Sequence, residues 1–133
     1  MNPFLAFATL ACLLFYFSTG IVVARSRLAH GLAAPAMHGH PIVERALRVQ
    51  GNSLEWLVIF LPSLWLFCAF YDPRIGAAAA AVWVSGRVLY MLGYLRDVAA
   101  RGPGFLIQAL ATAVMLFGAL AGAVTQVVQQ GWG

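Results

Sequence analysis

Pro3 to Ala24 reads PFLAFATLACLLFYFSTGIVVA, a run without a single formally charged residue. A helix must supply ~20 apolar residues, at ~1.5 Å each, to cross a hydrocarbon layer of ~30 Å. This run is long enough to span a bilayer. It lacks both the basic leader and the short ~7–15-residue apolar centre of a cleaved secretory signal, so it is expected to be a retained first span. Working outward, three more runs meet the same criterion: Ser53 to Tyr71, with Glu55 near its start, Ile75 to Leu95, with Arg87 inside it, and Phe105 to Val128, again without charge. Period-two alternation of apolar and polar residues, the mark of a membrane barrel strand, is absent, which leaves helices as the spanning structure. The expected fold class is all-α: an integral membrane four-helix bundle, one domain over residues 1–133, with spans at about 3–24, 53–71, 75–95 and 105–128.

Composition agrees. Of 133 residues 62% are hydrophobic and 9% charged, and the mean hydropathy is +0.86, whereas soluble domains carry ~25% charged residues. A water-soluble globule is excluded. All eight basic residues are arginines, for a formal charge of +4. They lie between or inside apolar runs rather than on one wet basic patch, so nucleic acid is not an expected partner. Arg25, Arg27, Arg45 and Arg48 fall between the first and second spans, Arg96 and Arg101 between the third and fourth, and only Arg74, beside Asp72, between the second and third. The positive-inside rule then puts the first and third connections in the cytoplasm. A lysine-free composition rich in Ala, Gly and Arg points to a bacterial inner membrane.

The short turn Asp72-Pro73-Arg74-Ile75-Gly76 makes spans two and three antiparallel neighbours, and Arg101-Gly102-Pro103-Gly104 breaks the chain before span four. Cys12 and Cys68 sit inside spans as small apolar side chains. His30, His38 and His40 lie in the one long irregular stretch, without the cysteines or clustered carboxylates of a metal site, and no metal is expected.

Two charges stand inside spans, where a charge costs ~2.5–3.5 kcal/mol at mid-helix and by default marks function. Arg87 is ~12 Å from the end of its span at 1.5 Å per residue, and Glu55 is near the cytoplasmic end of its own. With 3.6 residues per turn, Arg48, Asn52 and Glu55 fall within about 60° of one another on helix two. On helix three Arg87, Tyr90, Tyr94 and Arg101 fall within a similar arc, provided that helix continues past Asp97. Such faces complement a small zwitterion: arginines pair with carboxylates in a planar fork, Glu55 accepts from an ammonium, and the phenols donate. The competing reading makes the tyrosines an interfacial belt and Arg87 a structural partner of Glu55.

At these residues the sequence resembles the MAPEG family, membrane-associated proteins in eicosanoid and glutathione metabolism. The segments that carry the resemblance are ERALRVQGNSLEW (Glu44 to Trp56) and GRVLYMLGYLRDVAAR (Gly86 to Arg101), similar to the family's E-R-x-x-R-x-x-x-N-x-x-E and R-x-x-Y-x-x-G-Y-x-x-x-x-x-x-R patterns. The resemblance implies a homotrimer with sites between subunits and glutathione as co-substrate. It implies that Arg48, Asn52, Glu55, Tyr90 and Tyr94 bind glutathione, with Glu55 at the ammonium and Arg48 at a carboxylate. It also implies that Arg101 stands at the thiol as the catalytic residue and that Arg87 is the family's buried arginine. Arg25 and Gln50, the latter about 200° from Arg48 on helix two, would serve the neighbouring site. Trp56 departs from the Tyr of the leukotriene synthase branch, and Val58 stands where the family has a Pro, the first Pro of span two being Pro62. Both departures argue against leukotriene synthesis.

A free thiol has a pKa of ~8.5, and only its thiolate attacks electrophiles. A permanently charged guanidinium beside the sulfur favours the thiolate, and each pKa unit it removes corresponds to ~1.4 kcal/mol. Arg is never neutral in proteins and is a poor base, which leaves the proton to water. The expected activity is a membrane-bound glutathione transferase acting on hydrophobic electrophiles that enter from the lipid, with lipid-hydroperoxide peroxidase activity as a second chemistry. The alternative is a non-catalytic lipid-binding scaffold of the same fold. A transporter or channel would need broken helices or pore-lining charges on several spans, which spans one and four do not offer.

Overall fold

The computed structural model describes residues 1–131 and contains four long helices. They are α1 (Pro3–His30), α2 (Pro41–Phe70), α3 (Pro73–Arg96) and α4 (Gly102–Gln130), with a 3-10 turn at Val98–Arg101 before α4. All four are long and apolar enough to cross a membrane.

Helix starts follow local chemistry. A Pro in the first turn gives up an N–H that has no intrahelical partner anyway, and each of the four helices has one. The residue ahead of α1, α2 and α3 caps it with a side chain: Asn2 Oδ1 accepts from Phe4 N at 2.9 Å, His40 Nδ1 from Ile42 N at 3.2 Å, and Asp72 Oδ1 from Arg74 N at 2.9 Å. Gly31, at φ 65°, ends α1 in the left-handed conformation, which costs glycine nothing.

The α2 cap at His40 and the α1 stop at Gly31 lie well outside the apolar runs, so these two helices overshoot the expected spans. Helix α2 begins at Pro41 rather than at Ser53, so Arg45 stands on the same helix as Arg48 and not in a loop. Arg25 and Arg27 belong to the last turns of α1. The irregular stretch between α1 and α2 covers residues 31–40, as expected between His30 and Pro41, and is braced by Arg27, which donates to the carbonyls of Leu32 and Ala36 at 3.3 and 2.6 Å. Helix α3 does not pass Asp97. It stops at Arg96, because Asp97 turns extended, its N–H bonding Gly93 O at 2.8 Å while its carboxylate accepts from Ala99 N at 3.1 Å to start the 3-10 turn.

Helices α1 and α4 each pack against both α2 and α3, and α2 packs against α3. At the centre Trp83 stacks on Phe60 with ring centroids 4.9 Å apart and meets Phe15 edge-on at 6.2 Å. Cys12, Leu64 and Met115 complete this core. Leucines, valines and phenylalanines such as Phe7, Leu14, Leu66, Leu92, Leu110 and Phe117 point outward, as expected where the surroundings are lipid. Attraction between helices in lipid comes from close packing, for which small residues are favoured. Gly86 on α3 faces the backbone of Gly104 and Gln108 on α4, and a Cβ on Gly104 would collide with the backbone of Tyr90 and Gly86. The glycine pair thus seats α4 directly against the stretch of α3 that carries Tyr90.

Candidate functional site

Arg87 organises the polar end of the bundle. It is fully buried, donating from Nη1 to Asn52 Oδ1 at 3.0 Å and from Nη2 to Ser53 Oγ at 2.7 Å, with its guanidinium 4.2 Å from the centroid of the Tyr90 ring. A charge at this depth is tolerable when protein groups take its hydrogen bonds. Ser53 is itself held by its bond to Val49 O at 2.6 Å.

With its carbonyl committed to Arg87, Asn52 must present its amide in the opposite direction, and Nδ2 donates to Glu55 Oε2 at 3.3 Å. The other carboxylate oxygen accepts from Arg48 Nη1 at 3.2 Å. The chain Arg87, Asn52, Glu55, Arg48 therefore runs from the buried interior to a half-exposed ion pair. Glu55 and Arg87 do not pair directly; Asn52 stands between them.

Arg101 arrives from the 3-10 turn and not along the face of α3. Its guanidinium lies 5.5 Å from the centroid of the Tyr94 ring. Arg48, Asn52, Tyr90, Arg101, Gly102 and Phe105 line a cavity of about 340 Å3. An aromatic wall backs it: Tyr90 lies 5.6 Å from Tyr94 and 6.2 Å from Phe105, and Trp56 meets Phe105 edge-on at 5.3 Å. The cavity thus offers two guanidiniums, an amide and a phenol, with the Glu55 carboxylate hydrogen-bonded to two of its lining residues. This set suits a small ligand that carries both carboxylate and ammonium groups.

Among the residues singled out in the sequence, Arg48, Asn52, Tyr90 and Arg101 line this cavity, with Glu55 and Tyr94 directly attached to its walls. Arg87 lies behind the wall. Arg25 is exposed on α1, and Gln50 lines a separate groove of about 510 Å3 with Leu13, Tyr16, Phe17, Gly20, Ile21 and Ala24; neither meets the cavity within one chain. The sequence reading missed Ser53, Gly102 and Phe105. Ser53 could have been found as the next residue after Asn52 on a helix facing Arg87, whereas Phe105 gave no signal among so many apolar residues. The histidines have local roles. His40 caps α2 and stacks on His30 at 3.7 Å, and His38 lies 3.7 Å from Glu44. Among the described residues no three ligating side chains converge on a point.

The family model for the MAPEG family matches residues 5–121, nearly the whole bundle. The chain belongs to the MAPEG family. An uncharacterized protein of Synechocystis sp. is 40% identical over 124 residues, 93% of this chain and 90% of its own. Microsomal glutathione S-transferase 2 of Homo sapiens is 32% identical over 111 residues, 83% of this chain and 74% of its own. Leukotriene C4 synthase of Cavia porcellus is 33% identical over 86 residues, 65% of this chain and 56% of its own. Membership of MAPEG and four apolar helices make the chain an integral membrane protein.

Proposed function

We propose that this MAPEG protein is a membrane-bound glutathione transferase whose site is built from Arg48, Asn52, Glu55, Tyr90, Tyr94 and Arg101. The observation that carries this reading is the single cavity onto which Arg48, Asn52, Tyr90 and Arg101 open, in a chain similar to a microsomal glutathione S-transferase. Glu55 takes the ammonium of glutathione and Arg48 a carboxylate, while Tyr90 donates from the aromatic wall. Arg101 lies against the thiol and holds it as thiolate, which attacks the electrophile; the proton leaves to water, since no guanidinium accepts it. Arg87 touches no ligand in this scheme. It fixes the rotamer of Asn52 and thereby the Glu55 carboxylate.

Arg25 and Gln50 complete the site from a neighbouring copy in a homotrimer. Hydrophobic electrophiles or lipid hydroperoxides enter from the bilayer along a groove between subunits, lined by α1 of one copy and α4 of another. That groove is consistent with a bundle in which neither of these helices serves as the other's main packing partner. The site faces the cytoplasm of a bacterial inner membrane, the side to which the positive-inside rule assigns six of the eight arginines.

The test is stopped-flow absorbance of thiolate formation in purified protein held in detergent or nanodiscs. Wild type is expected to form thiolate on mixing with glutathione, and Arg101→Ala to bind glutathione while forming about tenfold less thiolate at neutral pH, one pKa unit's worth. Binding without thiolate in wild type overturns the transferase reading in favour of a lipid-binding scaffold. Equal thiolate in Arg101→Ala removes Arg101 from its role.

A further inference from the structure

Arg45 plays no part in the site described above, yet it reaches from α2 to the last carbonyls of α3, beyond the packing of Val49 on Tyr90 and Tyr94. Its Nη1 donates to Leu95 O at 3.3 Å and to Arg96 O at 3.2 Å. The last carbonyls of a helix have no intrahelical donor, and the same end carries the negative pole of the helix dipole, where a cation is favoured. Arg45 answers both needs from a neighbouring helix.

The location gives this contact its significance. Immediately after Arg96 the chain must double back so that Arg101 reaches Tyr94. Asp97 makes the corner, with Ala100 N bonding Asp97 O at 3.0 Å. Gly93 then allows the Ala100 carbonyl to lie against α3 where any Cβ would collide. Those contacts are internal to the turn and set its shape. They do not set its position relative to α2, which carries Arg48, Asn52 and Glu55. Arg45 does so: one guanidinium one helical turn before Arg48 holds the two carbonyls from which the Arg101 turn departs. Among the described residues, it is the one side chain of α2 that hydrogen-bonds the C-terminal carbonyls of α3.

We propose that Arg45 is a positioning residue for the thiol step, a clamp that sets the distance between the carboxylate and ammonium end of the site on α2 and the guanidinium of Arg101. It acts through Arg101 and touches no substrate. The inference rests on the glutathione reading of the site. Losing the clamp lets the turn drift, which weakens the field of Arg101 at the sulfur more than it weakens the grip of Arg48 and Glu55 on the rest of the ligand.

The experiment measures thiolate absorbance against pH at saturating glutathione, with the glutathione Kd measured alongside by calorimetry, on purified protein in nanodiscs. Wild type, Arg45→Met, Arg45→Lys, Arg101→Ala and the double variant Arg45→Met/Arg101→Ala are compared. Arg45→Met is expected to move the thiolate midpoint up by about half a pH unit to one pH unit, up to tenfold less thiolate at neutral pH, with Kd changed less than threefold. Arg45→Lys, which keeps a cation at the carbonyls, should recover most of the shift. In the Arg101→Ala background Arg45→Met should add nothing.

An unchanged midpoint in Arg45→Met, a shift that Lys does not recover, or a further shift in the double variant overturns the clamp. If Arg45→Met does not fold, Arg45→Lys and Arg45→Gln carry the test, and a midpoint identical in Arg45→Gln and wild type overturns the proposal. A wild type without thiolate fails the underlying reading instead and is recognised by that first measurement.

Discussion

Where α2 turns into α3, contacts between α2, α3 and α4 are matters of shape: Phe67 packs at a tilt against Tyr71 with ring centroids 4.6 Å apart, Gly118 and Gly122 of α4 make room for Phe67 and Phe70, and one interhelical hydrogen bond, Trp65 Nε1 to Thr9 Oγ1 at 3.1 Å, ties α2 to α1. At the opposite end the same helices are joined by hydrogen bonds, from Arg87 to Asn52 and Ser53 and from Arg45 to the end of α3. The two ends differ in what a defect costs. A badly shaped apolar contact can relax by a rotamer change, whereas a polar group left without its partner in a membrane interior has no water to turn to. The polar end therefore accepts fewer substitutions, and it is where the groups of the proposed site are held in place.

The most severe expected break is Asn52→Leu. It removes an acceptor from the fully buried Arg87 and should cost about 2–3 kcal/mol, read as a drop in the thermal unfolding midpoint in detergent. Adding Arg87→Met in the same chain should restore part of the midpoint but not glutathione binding, because no buried charge then lacks a partner. If the double variant is less stable than Asn52→Leu alone, Arg87 does not depend on that bond.

Next come two glycines at opposite ends. Gly104→Ala puts a methyl into the backbone of Tyr90 and Gly86, which cannot yield without separating α3 from α4, at a cost of about 1–3 kcal/mol. Glutathione affinity should fall with it as Tyr90 and Phe105 move apart. Gly118→Ala meets the edge of the Phe67 ring, a side chain that can swing, so stability should fall less and affinity stay at the wild-type value. Comparable losses of affinity in both would abolish the distinction between the ends.

The smallest expected effect on stability is that of Glu55→Gln. Its ion pair with Arg48 joins side chains that are 57% and 53% exposed, and such pairs contribute about 0–1 kcal/mol. Calorimetry should nonetheless show weakened glutathione binding in a protein that melts normally. A large loss of stability would make the pair structural instead.

Much of this was legible in the sequence because a helix writes its faces into residue spacing. Arg48, Asn52 and Glu55 could be placed on one side of α2 without coordinates, and charge-free runs such as Pro3 to Ala24 sufficed to count the spans. Distances between helices are not written there. Arg87 looked like a ligand-binding residue because its charge was conspicuous, while its acceptors sit on another helix 34 and 35 positions earlier. Arg101 was expected along the face of α3, but the extended Asp97 that precedes it breaks the helix assumed to carry it. Arg45 looked like loop charge, since the apolar run begins well after α2 itself. Hydropathy marks where lipid starts, and caps mark where helices start.

The separation between Arg87 and its acceptors also bears on how the protein is made. Asn52 and Ser53 leave the ribosome before Arg87, so a third segment that alone would bear ~2.5–3.5 kcal/mol for an arginine near its middle enters a membrane already furnished with acceptors. Insertion efficiency of the α3 segment, measured with and without the preceding pair of helices, should be higher in their presence, and Asn52→Leu should erase part of the gain. The first hairpin would then act as the docking template for the second during biogenesis.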